Sequence, residues 1–111
     1  MTTSVAEYDD ATVLTVTGYV DRRTAPALGN EIEAVLRDRP SALIIDLSAV
    51  VAMVMSAVIA ELVQAHQSVV PATTIVVVAA PGTVRILRKV NLDQIFAYPT
   101  LDEALASVRP H

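Results

Sequence analysis

Two stretches, "ALIIDLS" at residues 42–48 and "TTIVVVAA" at residues 73–80, constrain the fold more than any other feature of the chain. Each is a near-continuous run of aliphatic residues, without the alternation of a strand that faces water on one side. Such runs mark strands covered on both faces. They demand a sheet with an apolar layer above and below it. Hydrophobic residues make up 53% of the sequence but aromatics only 4%, so those layers must be built from Val, Leu, Ile and Ala. With 111 residues the chain can close one such core and not two, which predicts a single domain over 1–111.

The remaining elements fit around these strands. "TTSVAEYD" and "TVLTVTGYV" are β-prone runs separated by Asp9, Asp10 and Ala11. They read as an antiparallel hairpin, with the two aspartates in its turn. "TAPALGNEIEAVLRDR" opens a helix in which Thr24 is the expected N-cap. Pro26 lies in the first turn, where its missing N–H costs nothing, and Leu28, Ile32, Val35 and Leu36 form the apolar face. A second helix is expected over about Ser56–Ser68, with Ile59, Leu62 and Val63 inward and Glu61, Gln64 and Gln67 toward water. "TVRILRKV" predicts a short third helix stopped at Asn91, "QIFAY" a last short strand, and "TLDEALASV" a final helix capped by Thr100 with Glu103 three residues on. Strands alternating with helices after a hairpin give an α/β fold: a mixed sheet of four or five strands with about four helices packed on it.

Charge and composition exclude several functions. A net charge of −4 lacks the basic footprint that nucleic-acid phosphates require. The absence of cysteine removes thiolate metal sites and thiol redox switching, and fits a reducing, cytoplasmic setting. "MTTSVAEYDD" has neither the basic nor the apolar region of a secretory signal. The most apolar window holds only fourteen residues between Asp46 and Glu61, short of the roughly 20 a spanning helix needs. A soluble chain without direct membrane insertion is expected.

Enzymatic constellations are thin, and no catalytic residue, metal site or cofactor is expected. His66 lies late in a helix without a second ligand at i+3 or i+4, and His111 is the terminal residue. The three glycines, Gly18, Gly29 and Gly82, form no phosphate loop, and no serine is flanked by glycines as in a nucleophile elbow. Arg85, Arg88 and Lys89 share one short helix, where a solvated face is the ordinary reading and an anionic docking patch the alternative.

The segment between the first buried strand and the second helix carries more information. If the strand ends at Asp46–Leu47, the residues from Ser48 to Met55 form a loop beyond its C-terminal end, where α/β sheets place their sites. Asp46 then needs hydrogen bonds, from backbone N–H groups of the loop and from Ser48. Ser56 falls at the expected N-cap. A phosphate there would meet free N–H groups and the positive end of the helix dipole. Met53, Val54 and Met55 can neither cap nor ionise. They fill the core under the loop, or form an apolar docking patch at the helix start if Val54 and Met55 face water.

Taken in order and spacing, these segments resemble the STAS domain family, and within it the small bacterial anti-sigma factor antagonists. "GYVDRRTAPAL" is similar to the family's Gly-x-x-Asp followed by Thr-Ala-Pro, "LIIDLSAVVAMVMSAV" to its central strand, loop and second helix, and "APGTVRILRKVNLDQIFAYPTLDEALA" to its C-terminal end. The resemblance implies a protein-binding regulator. Such a domain binds an anti-sigma factor, often a serine kinase with a GHKL-type ATP site, and releases the sigma factor it held. It also implies a partner surface at Val54, Met55, Ser56, Ala57 and Val58, with Asp21 and Ser48 beside it. The chain departs from the family at the switch. Where the family reads Asp-Ser-Ser/Thr-Gly, this chain reads Val54-Met55-Ser56-Ala57, so Met55 stands where the phosphorylated serine is usual. Three outcomes are open: an antagonist without the serine switch, one phosphorylated at Ser56 instead, or a STAS accessory subunit of a transporter or other signalling complex.

Overall fold

In the computed structural model, which describes residues 1–8, 11–68, 73–90 and 95–109 except for the side chains of His66 and Ser68, the two apolar runs become inner strands of one sheet. Five strands, β1 (Thr2–Tyr8), β2 (Ala11–Val20), β3 (Ala42–Met53), β4 (Thr74–Val78) and β5 (Ile95–Tyr98), lie side by side in chain order. β1 and β2 pair antiparallel, and every later pair is parallel. The helices are α1 (Ala25–Leu36), α2 (Met55–Ser68), α3 (Pro81–Val90) and α4 (Leu101–Val108). The sequence predicts a mixed sheet of four or five strands with an N-terminal hairpin and about four helices, and the structure has five strands and four helices among the described residues. Asp9, Asp10, Asn91, His111 and the His66 side chain lie outside the described residues, and with them the expected hairpin turn, helix stop and histidine placements.

Burial on both faces explains the unbroken apolar runs. Leu43, Ile45, Leu47, Ile75 and Val77 point into the larger core, with Leu28 and Ile32 of α1, Val58 and Leu62 of α2, and Val84 and Leu87 of α3. Ile44, Val76 and Val78 point the other way, against Ala104 and the flanking Leu101, Leu105 and Val108 of α4. One face therefore carries three helices and the other carries one. Each buried Leu, Ile or Val side chain is worth about 1.5–3 kcal/mol of burial, so these interleaved layers hold the sheet at a fixed depth.

Helix ends follow local chemistry. Thr100 Oγ1 accepts from the Glu103 N–H at 3.2 Å, as its spacing predicts. At α1 Thr24 stands at the N-cap without a side-chain capping bond, because its hydroxyl is engaged elsewhere in the same turn. Gly29 of α1 faces Glu61 of α2: a methyl group there would overlap the carboxylate end of that side chain, which would have to turn aside.

The expected loop from Ser48 to Met55 is a strand. β3 loses β4 as a neighbour after Asp46, whose last partner there is Val78, but it stays on β2 as far as Val20 and Met53. The strand does not end at Asp46–Leu47 because β2 is long enough to keep pairing. Two register shifts, between Thr15 and Thr17 and between Gly18 and Tyr19, give β3 one extra residue each time. Such bulges bend and twist the strand and break its alternation. Gly18 sits at the second shift with a φ of 90°, which a glycine adopts freely, and Met1 packs against it.

Candidate partner-binding site

Asp46 marks the point where β3 leaves the five-stranded sheet. Its carboxylate Oδ1 accepts from the Ser48 backbone N–H at 2.9 Å and from the Ser48 hydroxyl at 2.6 Å. With only 9% of its surface exposed, the side chain is buried and partnered, as expected. The bond ties residue 46 to residue 48 across the first bulge, so Asp46 braces the bend that projects residues 48–53 beyond the rim.

The projecting end of β3 is anchored to β2. Val54 donates its N–H to the Val20 carbonyl at 2.8 Å, and its own carbonyl accepts from Ala57 and Val58 at 3.1 Å. Val54, not Ser56, therefore precedes the first helical residue, and Ser56 is the second residue of α2. The N-cap role expected for Ser56 is not realised: the ladder ends at Met53 and the helix begins at Met55, leaving one residue between them. Val54 has no side-chain acceptor, so no capping bond of the ordinary kind can form from this position.

Asp21 closes the other side of the rim. It follows β2 directly, and its Oδ1 accepts from the N–H groups of Arg23 at 2.8 Å and Thr24 at 2.9 Å. In return Thr24 Oγ1 accepts from the Asp21 N–H at 2.9 Å. The Thr24 backbone N–H first, and then that of Arg23, hold the Asp21 carboxyl below its ordinary value. Asp21 thus does the work at this turn that the sequence assigned to Thr24. The Val20–Val54 bond sets this turn next to the start of α2.

Burial sorts the expected docking residues. Ser48 and Ser56 are exposed; Asp21, Val54, Met55 and Ala57 are half-buried; Val58 is buried in the larger core. Met53, Met55 and Ala57 pack against that core, so Met55 both fills space and shows an edge at the surface. Val58 supports the helix start from beneath and has no surface to offer a partner. Two large exposed residues were not anticipated. Val51 is 70% and Tyr19 61% exposed, and Tyr19 pairs with Ala52 on the projecting ribbon. The signal for Val51 lies in the unbroken "AVVAM", too long an apolar run for a segment with nothing left to pack on both sides. The site is thus a mostly apolar ridge with two serine hydroxyls and one carboxylate, suited to contact with a protein and poor in groups for bond-making. Among the described residues no three His, Cys, Asp or Glu side chains gather as a metal site, and no helix is long and apolar enough to cross a membrane.

The STAS domain family model matches residues 2–104. The chain belongs to the STAS domain family. This STAS domain is 35% identical over 112 residues to the anti-sigma-F factor antagonist RsfB of Mycobacterium tuberculosis, covering 98% of this chain and 90% of that protein. An anti-sigma factor antagonist from Mycobacterium paratuberculosis, solved by crystallography, superposes with a TM-score of 0.85 at 38% identity, over 98% of this chain and 94% of the other. The unphosphorylated anti-sigma factor antagonist SpoIIAA shares the fold at a TM-score of 0.71 and 16% identity, over 99% of this STAS domain and 100% of SpoIIAA.

Proposed function

We propose that this STAS domain is an anti-sigma factor antagonist: it binds an anti-sigma factor through the rim formed by the end of β3, the start of α2 and the Asp21 turn, and so frees a sigma factor. The reading is carried by one observation, the full-length kinship with proteins named as such antagonists, at 35% and 38% identity. The exposed apolar ridge agrees with it. A mostly apolar surface that must release and rebind a partner gains affinity from a few large side chains, here Val51, Tyr19 and the edge of Met55.

Regulation differs from the family habit in this proposal. Met55 cannot accept phosphate, so the usual serine switch is missing and, without phosphate elsewhere, the domain's output follows its abundance and that of its partner. Ser56 is exposed at the second helical position and is the candidate site if a serine kinase of the GHKL type is the partner. Phosphate there would add nearly two negative charges to the middle of an apolar contact.

The test is a displacement assay. A preformed complex of sigma factor and anti-sigma factor is titrated with the purified domain, and free sigma factor is measured. Release that saturates with the domain, and that weakens with Val51→Asp while the fold is intact, supports the proposal. No release by the wild-type domain from any anti-sigma factor of its own cell overturns it.

A further inference from the structure

The basic helix α3 has no part in the docking rim, yet it is not an ordinary solvated face. Pro81, Val84, Arg85, Arg88 and Lys89 recur at the spacing of one helical face and, with Pro99 opposite, line an open cleft of about 450 Å³. That volume lies in the range of small-molecule sites. We propose that this cleft binds a small organic polyanion, one carrying a phosphate ester or clustered carboxylates. Three of the eight Lys and Arg residues of an acidic chain fall on this ten-residue helix, which contains no Asp or Glu. The cationic groups are also differently prepared. Arg88 donates from Nη2 to the Ala97 carbonyl at 2.8 Å, so its guanidinium is already held beside β5 and loses little freedom when a ligand arrives. Arg85 and Lys89 are exposed and, among the described residues, have no carboxylate partner. Placing cations in the last turn of a helix complements its dipole, which accounts for part of Arg88 and Lys89. It accounts for neither Arg85 nor the cleft. The walls contributed by Pro81, Val84 and Pro99 are apolar and suit the carbon body of an organic anion better than a bare ion. The cleft follows β4 and β5, whereas the docking rim follows β2 and β3 at the same end of the sheet.

The test is an amide NMR titration of the full chain with sodium pyrophosphate and, separately, with citrate, at constant ionic strength set by sodium chloride. Saturable shifts centred on residues 81–89 and 97–100, with a Kd at or below about 1 mM, are expected. Arg85→Glu combined with Lys89→Glu should weaken them by about tenfold or more, both side chains being exposed, with a native amide spectrum as the check on the fold. Saturation by pyrophosphate alone identifies the phosphate-ester class and saturation by citrate alone the polycarboxylate class. No saturable shift with either probe, or undiminished shifts in a double variant whose spectrum is otherwise native, overturns the proposal.

Discussion

The Val54 N–H donates to the Val20 carbonyl across 2.8 Å, and this bond joins the end of the β2–β3 ladder to the first turn of α2. Val51 and Ser56 lie three residues before and two residues after Val54 in the chain, and both are exposed. Val51→Asp and Ser56→Glu should therefore weaken anti-sigma factor binding by tenfold or more, with changes in folding stability within about 0.5 kcal/mol. Calorimetric binding and urea unfolding on the same variants separate the two effects. Met55→Asp is a poorer probe, because Met55 packs against the core and a buried-edge carboxylate costs stability as well.

Incubation with the cognate kinase and ATP should leave the wild-type domain unmodified at Met55 by necessity, and intact-mass spectrometry reads what remains. Phosphate at Ser56, abolished in Ser56→Ala, would replace constant competence with a displaced switch one residue along the helix. Absence of any added phosphate is the expected result.

Asp46 and Ser48 give a stability prediction. Asp46→Ala leaves the Ser48 N–H without its acceptor at a partly buried bend, and should cost about 1–3 kcal/mol in urea unfolding. Ser48→Ala keeps the backbone bond and should cost about 1 kcal/mol or less. Equal losses in the two variants would mean that the hydroxyl, and not the backbone bond, holds the bulge.

Gly18→Ala should lower the melting temperature by several degrees, because a φ of 90° costs an L-residue about 1–2 kcal/mol. Gly82→Ala is the matched control, since a methyl group there meets nothing and no left-handed backbone is involved.

Asp21 gives a pH dependence. Its folded-state pKa lies below its ordinary value, so the carboxylate form stabilises the fold at pH values above the unfolded pKa, near 4. That contribution is lost as pH falls through the lower folded-state value. Asp21→Asn should flatten the acid limb of the stability profile below about pH 4 and leave the profile's shape above pH 5 unchanged. An acid limb identical to wild type would remove Asp21 from the account.

Much of the architecture was legible because burial leaves a plain record. Leu43 to Ile45 and Ile75 to Val78 face apolar layers on both sides, and no other environment calls for such runs. The capping of α4 was legible for a different reason, since Thr100 and Glu103 act within one turn of chain. The extension of β3 to Met53 was not. Its bulges at Ser48 and near Val51 destroy the period-two signal, and its pairing depends on how far β2 happens to run. At the Asp21 turn the carboxylate accepts from Arg23 and Thr24 while the Thr24 hydroxyl accepts from Asp21, and sequence shows both side chains without showing this reciprocal pairing. The exposure of Val51 and the burial of Val58 are tertiary facts, set by which neighbours arrive.

Because the five strands lie in space in the order in which they are encoded, synthesis and assembly can run in the same direction. Everything that forms the proposed docking rim lies within residues 1–68, so it leaves the ribosome before β4, α3 or α4 exists. Until then the inner edge of β3, Ala42 to Asp46, waits without the strand it will pair with. In a nascent chain of this kind that edge closes late, and a fragment ending after α2, which lacks Ile75, Val77, Val84 and Leu87 of the larger core, would be prone to aggregate through it.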